Sequence, residues 1–347
     1  MEAESGRGEG WGGPEELRMR ASEVQGGLGY LAPAQTAAWP PVRRGGRRRL
    51  LRRAVRALAY VAVAAGVFAG GWFGHDVVQG GPSASPDDKL AEALLPADGV
   101  KLEVRWGDVA RQLVEEGVID LEKFKAAAKG SGSPLTPEQL KVLSEGSDDP
   151  LRIDANSAYF ALDVLWALGL ANENTMLTEG PMAQYGWDKA GSYASTGGWT
   201  IGAKPGPEYL AALELIRLTP QQQAVVEEVA MNSYRPCCGN MTGFPDCNHG
   251  MAALGLAELM ASQGASADDI FLALKKISPF WFPSQYHHLA YYFEQQDQDW
   301  EEVDPRVLMG KEYSSSGGWQ QVNAWLQQQG ALTGGGPGGG KASGCAP

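Results

Sequence analysis

Arg235-Pro-Cys237-Cys238-Gly-Asn-Met-Thr-Gly-Phe-Pro-Asp246-Cys247-Asn248-His249-Gly, continued without a break by Met251-Ala-Ala-Leu-Gly-Leu-Ala-Glu-Leu-Met260, carries both the fold class and the chemistry of this chain. The second half is an uninterrupted run of helix formers with no Pro. The first half is a Gly- and Pro-broken loop that ends where the helix begins, with Asp246 or Asn248 as the expected N-cap. Three of the four Cys of the chain and one of its four His fall inside 13 positions. Cys247 and His249 are therefore expected at a helix N-terminus, where exposed N–H groups and the macrodipole favour a thiolate. Gly239, Gly243 and Pro245 supply the bends that bring Cys237 or Cys238 back toward Cys247.

Working outward, helix signals dominate. Leu135-Thr-Pro-Glu-Gln139 and Leu218-Thr-Pro-Gln-Gln222 are near copies, each with Thr as N-cap, Pro at N1 and Gln closing a capping box. Ser266 with Asp269 predicts a helix through Lys276, Asn156 one stopped by Gly169, and Ser284 the start of the helix carrying His287 and His288. Trp106 to Glu116 has apolar residues at 106, 109, 110, 113 and 114, a helical stripe that Gly117 ends. Strand alternation is scarce, so the body reads as mostly α.

The net charge of −12 divides unevenly. Residues 1–56 hold 11 Arg against six Glu; the remainder holds 18 basic and 35 acidic residues. Between the two lie Ala57 to Gly74, 18 residues without a charge, long enough to span roughly 27 Å of a ~30 Å hydrocarbon core. The pattern predicts a disordered cytoplasmic tail over 1–56 ending in an Arg cluster, a single-pass transmembrane helix or uncleaved signal-anchor over 57–74, a linker over 75–87, an extracytoplasmic helical domain over 88–332, and a Gly-rich tail over 333–347 that contains Cys345. The lipid bilayer is thus the expected partner of residues 57–74. Arg47-Arg48-Arg49-Leu50-Leu51 keeps a twin-arginine export signal open as the alternative. A net charge of −12 argues against nucleic-acid binding, which wants a basic face.

Cys237, Cys238, Cys247 and His249 form a workable set for tetrahedral Zn²⁺ or, with soft thiolates, for Cu(I). Adjacent Cys side chains do not both reach one small ion with ease, so one of the pair is expected outside the shell. A redox or nucleophilic thiol is a further reading. In an oxidising compartment the same residues support a disulfide, Cys237 or Cys238 with Cys247, worth on the order of 2–3 kcal/mol by loop entropy. The protein is then a tethered interaction module rather than a metal site. The chain has no C-x-x-C redox turn, haem-attachment motif, H-E-x-x-H, G-x-S-x-G or Walker-type loop.

Pro236-Cys237-Cys238-Gly239, followed by a further Cys beside a His, resembles the motif of bacterial extracytoplasmic proteins named for Pro-Cys-Tyr-Cys-Gly-Cys. It lacks the intervening Tyr and the third close Cys. The resemblance covers about 15 residues and implies an exported, membrane-tethered protein with a Cys/His site.

One echo remains. Tyr193-Ala-Ser-Thr-Gly-Gly-Trp199 and Tyr313-Ser-Ser-Ser-Gly-Gly-Trp319 share five of seven positions. They read either as a recurrent turn, with Gly-Gly at positive φ and Trp anchored in the core, or as two glycine loops lining one pocket for a small ligand or an extracytoplasmic partner. Trp281, His287 and His288, in an aromatic segment, are the other pocket candidates. The run Asp297, Asp299, Glu301, Glu302 and Asp304 reads as a solvated loop.

Overall fold

A computed structural model describes residues 86–184 and 187–331. The expected tail, membrane span, most of the linker and the Gly-rich tail with Cys345 lie outside the described residues. Among those described, no helix is long and apolar enough to cross a membrane.

The described chain is mostly helical: α1 (Pro86–Leu94), β1 (Val100–Gly107), α2 (Val109–Glu115), α3 (Leu121–Gly130), α4 (Pro137–Glu145), β2 (Ser147–Ile153), α5 (Ala158–Ala171), α6 (Thr175–Thr178), α7 (Pro181–Gln184), α8 (Pro220–Asn232), α9 (Asn248–Ser262), α10 (Ala267–Trp281), α11 (Pro283–Gln295), α12 (Pro305–Met309), α13 (Lys311–Ser314) and α14 (Ser316–Gln328). The described residues fall in one compact unit, with a continuous apolar core from Leu90 to Leu326. That unit therefore holds the buried surface a domain needs to fold alone.

The three capping boxes form as read: Thr136 with Gln139, Thr219 with Gln222, and Ser266 with Asp269. Each joins a side-chain oxygen to an otherwise unpaired N–H, so the signal is local and survives any tertiary context. Three boundaries move. The helix from Ser266 runs on to Trp281 through Pro279, α5 is N-capped at Ser157, and α11 opens at Pro283 behind Phe282.

Two expectations are corrected. Trp106 does not open a helix but lies within strand β1, where Leu102, Val104 and Trp106 are buried and Lys101, Glu103 and Arg105 exposed. This is period-two alternation, and β1 pairs antiparallel with β2, Val100 opposite Ile153 and Gly107 opposite Ser147. Gly107, at φ +52°, turns the chain into α2.

Gly169 does not stop its helix. It lies inside α5, and a Cβ there would run into the carbonyl of Met251 on α9; a Cβ at Gly255 of α9 would likewise meet the carbonyl of Leu165. The helices cross with their backbones in contact at these two glycines. Beside the crossing, fully buried Glu258 accepts from Asn172 Nδ2 (3.0 Å), whose Oδ1 accepts from the backbone of Leu215 and Ile216. Burial holds the Glu258 carboxyl well above its usual range.

The acidic side chains at 297–304 are exposed, as expected of a solvated loop, while its backbone is held from below. Buried Lys275 donates to the carbonyls of Trp300 (2.7 Å), Glu301 (3.2 Å) and Val303 (2.7 Å), using all three of its N–H groups.

Gly255→Ala should lose about 1–3 kcal/mol in urea unfolding, although alanine is the better helix former. A gain would show that the helices do not touch there. Burial on α5 pushes the Asp163 carboxyl up to about 7, against a hydrogen bond to Tyr159 that pulls it down. A raised folded pKa contributes stability that is complete below about pH 4 and lost as pH rises to about 7. The Tm of the protein should therefore fall relative to that of Asp163→Asn across this window; parallel profiles would show that Asp163 ionises normally.

Candidate metal centre

Cys247 itself, not Asp246 or Asn248, is the N-cap of α9. Its backbone is extended (φ −124°, ψ 163°) and its Sγ accepts from Gly250 N at 3.4 Å. Its neighbours have other partners. Asp246 binds Arg235 Nη2 (2.7 Å) and Asn240 Nδ2 (2.8 Å) through its two oxygens, and Asn248 Oδ1 accepts from His249 N. The Cys247 sulfur thus sits on the positive end of a helix.

Arg235 shapes the loop. Its side chain is 4% exposed. Nε donates to Cys247 Sγ at 2.9 Å, Nη1 to the carbonyls of Asn240 (3.1 Å) and Met241 (3.0 Å), and Nη2 to the Phe244 carbonyl (3.1 Å) and Asp246. These five bonds use every N–H of the guanidinium. Burial works against the cation, but the facing Cys247, Cys238 and Cys237 outweigh it and hold Arg235 above its ordinary value. Gly250 leaves room for it, since a Cβ at that position would strike the guanidinium.

The vicinal cysteines part company. Ligand atoms of Cys237, Cys247 and His249 lie within 4.8 Å of one another, with Cys237 exposed and the other two buried. Cys238 also lies against Cys247 but turns toward Asp246 rather than His249, its Sγ 3.9 Å from Oδ1. A set of Cys238, Asp246 and Cys247 is equally close. Both oxygens of Asp246 are already engaged, however, so this group braces the loop. A hydrogen bond to Cys237 lowers the Cys238 thiol, while one to Cys247 and burial raise it, to about 11. Burial, and secondarily Arg235, bring His249 down to about 4 against the pull of Cys247, so its imidazole is neutral at pH 7, the form that ligates metals.

Cys237 Sγ and Cys247 Sγ are 3.5 Å apart. Two sulfurs about 2.3 Å from one tetrahedral ion stand roughly 3.8 Å apart, whereas a disulfide closes to about 2.05 Å. His249 packs 4.4 Å from the Phe282 ring and 6.0 Å from Trp281. Its Nδ1 and Trp281 Nε1 are buried without hydrogen-bond partners and line one void of about 10 Å³.

The echoed segments differ in conformation and meet at the same loop. Tyr193–Trp199 is a turn whose Ser195 N donates to the Asp246 carbonyl at 3.2 Å. Tyr313–Trp319 spans the end of α13 and the start of α14, and its Ser316 N donates to the Cys238 carbonyl at 2.9 Å. The two grip the Cys loop from either side. Their glycines do not have positive φ. Instead Gly197, Gly198 and Gly318 allow close approach to the carbonyls of Gly191, Ala194 and Glu312.

Among the other pocket candidates, Tyr193 packs edge-on against Phe244 of the loop. Trp199 is buried and donates to the Val118 carbonyl. Tyr313 packs on Phe293, and His288 lies parallel to Trp319 with centroids 6.1 Å apart. His287 and His288 belong to neither close donor set. A larger cleft of about 620 Å³, lined by Asp108, Glu138, Lys141 and Asp148, contains none of the Cys/His residues. Sequence reasoning missed Arg235. Its one signal is a lone basic residue two positions before the Cys pair.

No family model, curated protein or solved structure matches this chain.

Arg235→Met should destabilise the domain by about 3–5 kcal/mol in denaturant titration, because it removes the buried cation that pairs with Asp246 and bonds three carbonyls of the loop. Thiol-labelling rates at Cys247 should rise with it. Wild-type stability in this variant would mean that the loop is held from elsewhere.

Proposed function

We propose that this chain is a membrane-tethered extracytoplasmic protein that binds a thiophilic metal ion, Zn²⁺ or Cu(I), through Cys237, Cys247 and His249. The observation that carries this reading is the convergence of two sulfurs 3.5 Å apart and a neutral buried imidazole within 4.8 Å. The spacing suits a chelate. Arg235 and the start of α9 stabilise the thiolate form of Cys247, and Cys237 opens the site to solvent for ion exchange. Cys238 and Asp246 hold the loop in place. A Zn²⁺ held by three protein ligands keeps one position for an exogenous ligand, whereas Cu(I) accepts three soft donors. Membrane tethering rests on the uncharged span 57–74 and its flanking charge split.

The same sulfur separation favours one other reading, a Cys237–Cys247 disulfide that staples the loop of an interaction module, reached by a small rotation of the exposed Cys237 side chain. Mass spectrometry of the native protein with elemental analysis separates the two. Thiols with one equivalent of metal are expected; a quantitative Cys237–Cys247 bridge without metal would establish the module.

In competition titrations of the reduced protein, Cys237→Ser, Cys247→Ser and His249→Ala should each weaken binding at least tenfold, and Cys238→Ser much less. Affinity should rise from pH 5 to pH 8, because the two thiols release protons on binding. Equal losses for Cys237→Ser and Cys238→Ser would discard the assigned ligand set.

A further inference from the structure

Helices α11 and α14 pack against each other, and of their 26 residues Glu294 is the one that carries a full charge. The chain beyond residue 56 holds 35 acidic and 18 basic residues, so this neutral surface stands out from the acidic body. The outer side of α14 presents Gln320, Gln321, Ala324, Gln327 and Gln328, all exposed. Along the seam runs a band of half-buried rings: Tyr292 edge-on to Trp325 at 5.1 Å and 6.2 Å from Tyr313, and Trp319 parallel to His288. Uncharged helices with rings half in the core and amides toward solvent suit the headgroup level of a bilayer, where Tyr and Trp concentrate.

The path of the chain points to the same surface. Helix α11 also packs on α1, the first described element, so the chain enters the domain at α11. If residues 57–74 span the membrane, residues 75–85 reach at most about 40 Å. A tether of that length gives an effective concentration in the millimolar range, so a millimolar intrinsic affinity keeps the face docked for much of the time.

We infer that the α11–α14 face rests on the headgroup layer of the membrane that anchors the chain; this inference rests on the membrane-span reading in the proposed function. Because Ser316 at the start of α14 binds the Cys238 carbonyl, docking sets the Cys loop next to the lipid surface.

The test uses residues 81–347, which contain the whole described core, and phosphatidylcholine vesicles at lipid concentrations up to about 10 mM. Tryptophan emission should shift to the blue, be quenched by lipids brominated near the headgroup, reach half-saturation at millimolar lipid and respond little to salt. Gln320→Glu combined with Gln327→Glu changes two exposed positions and should weaken binding about tenfold with the thermal unfolding curve unchanged. No shift, or a shift that the paired variant leaves intact, overturns docking. Self-association in sedimentation that the same pair abolishes also overturns it, since the face would then join copies of this chain. Release of the full-length protein from membranes by alkaline carbonate would overturn the span and the inference with it, whatever the isolated unit does.

Discussion

The five hydrogen bonds of the Arg235 guanidinium are the constraint on which the candidate site depends. The 15-residue loop between α8 and α9 has little regular secondary structure to satisfy its carbonyls, and burying them without partners is costly. One rigid, planar, permanently charged side chain meets three of those carbonyls, a carboxylate and a sulfur at once. The fork geometry sets the positions of Asn240, Met241, Phe244 and Asp246 relative to Cys247. Cys237 then comes to lie beside the start of α9. A lysine could not reproduce this, having three donors radiating from a single atom.

The loop can be buried only because the elements under it are themselves tightly placed. The glycine contact of α5 with α9 brings two strongly apolar helices closer than side chains would allow, and the Asn172–Glu258 bond locks the far end of the same pair. The N-terminus of α9 is therefore a fixed platform for Cys247 and His249. Ser195 and Ser316, from segments 120 residues apart, then hold the loop by its carbonyls at Asp246 and Cys238. Metal binding, disulfide closure and loop rigidity are thus alternatives offered by one pre-set arrangement.

What was legible in the sequence follows the range of each interaction. Capping boxes at Thr136, Thr219 and Ser266 are made within four residues, so they read correctly without knowledge of the fold. Cys clustering and the helix after it were equally plain. Strand β1 was not, because Trp106 also fits the stripe of the next helix and hides the alternation that leads up to it. Gly169 reads as a stop because an isolated glycine looks the same in sequence whether it ends a helix or lets another helix approach. The echo of Gly-Gly-Trp segments signalled a shared neighbour, the Cys loop, rather than a shared backbone conformation.

By itself the sequence determined the helical character of the body, the split of charge about an apolar span, and the grouping of Cys237, Cys238, Cys247 and His249, all properties of residues near one another along the chain. Only the tertiary structure decided that Cys237 faces Cys247 and His249 while Cys238 turns to Asp246, and that Arg235 ties them together. Adjacent side chains leave the backbone in different directions. Which of them meets a distant partner depends on how the loop is folded against α9, and that depends on the buried guanidinium and the helix crossing beneath it.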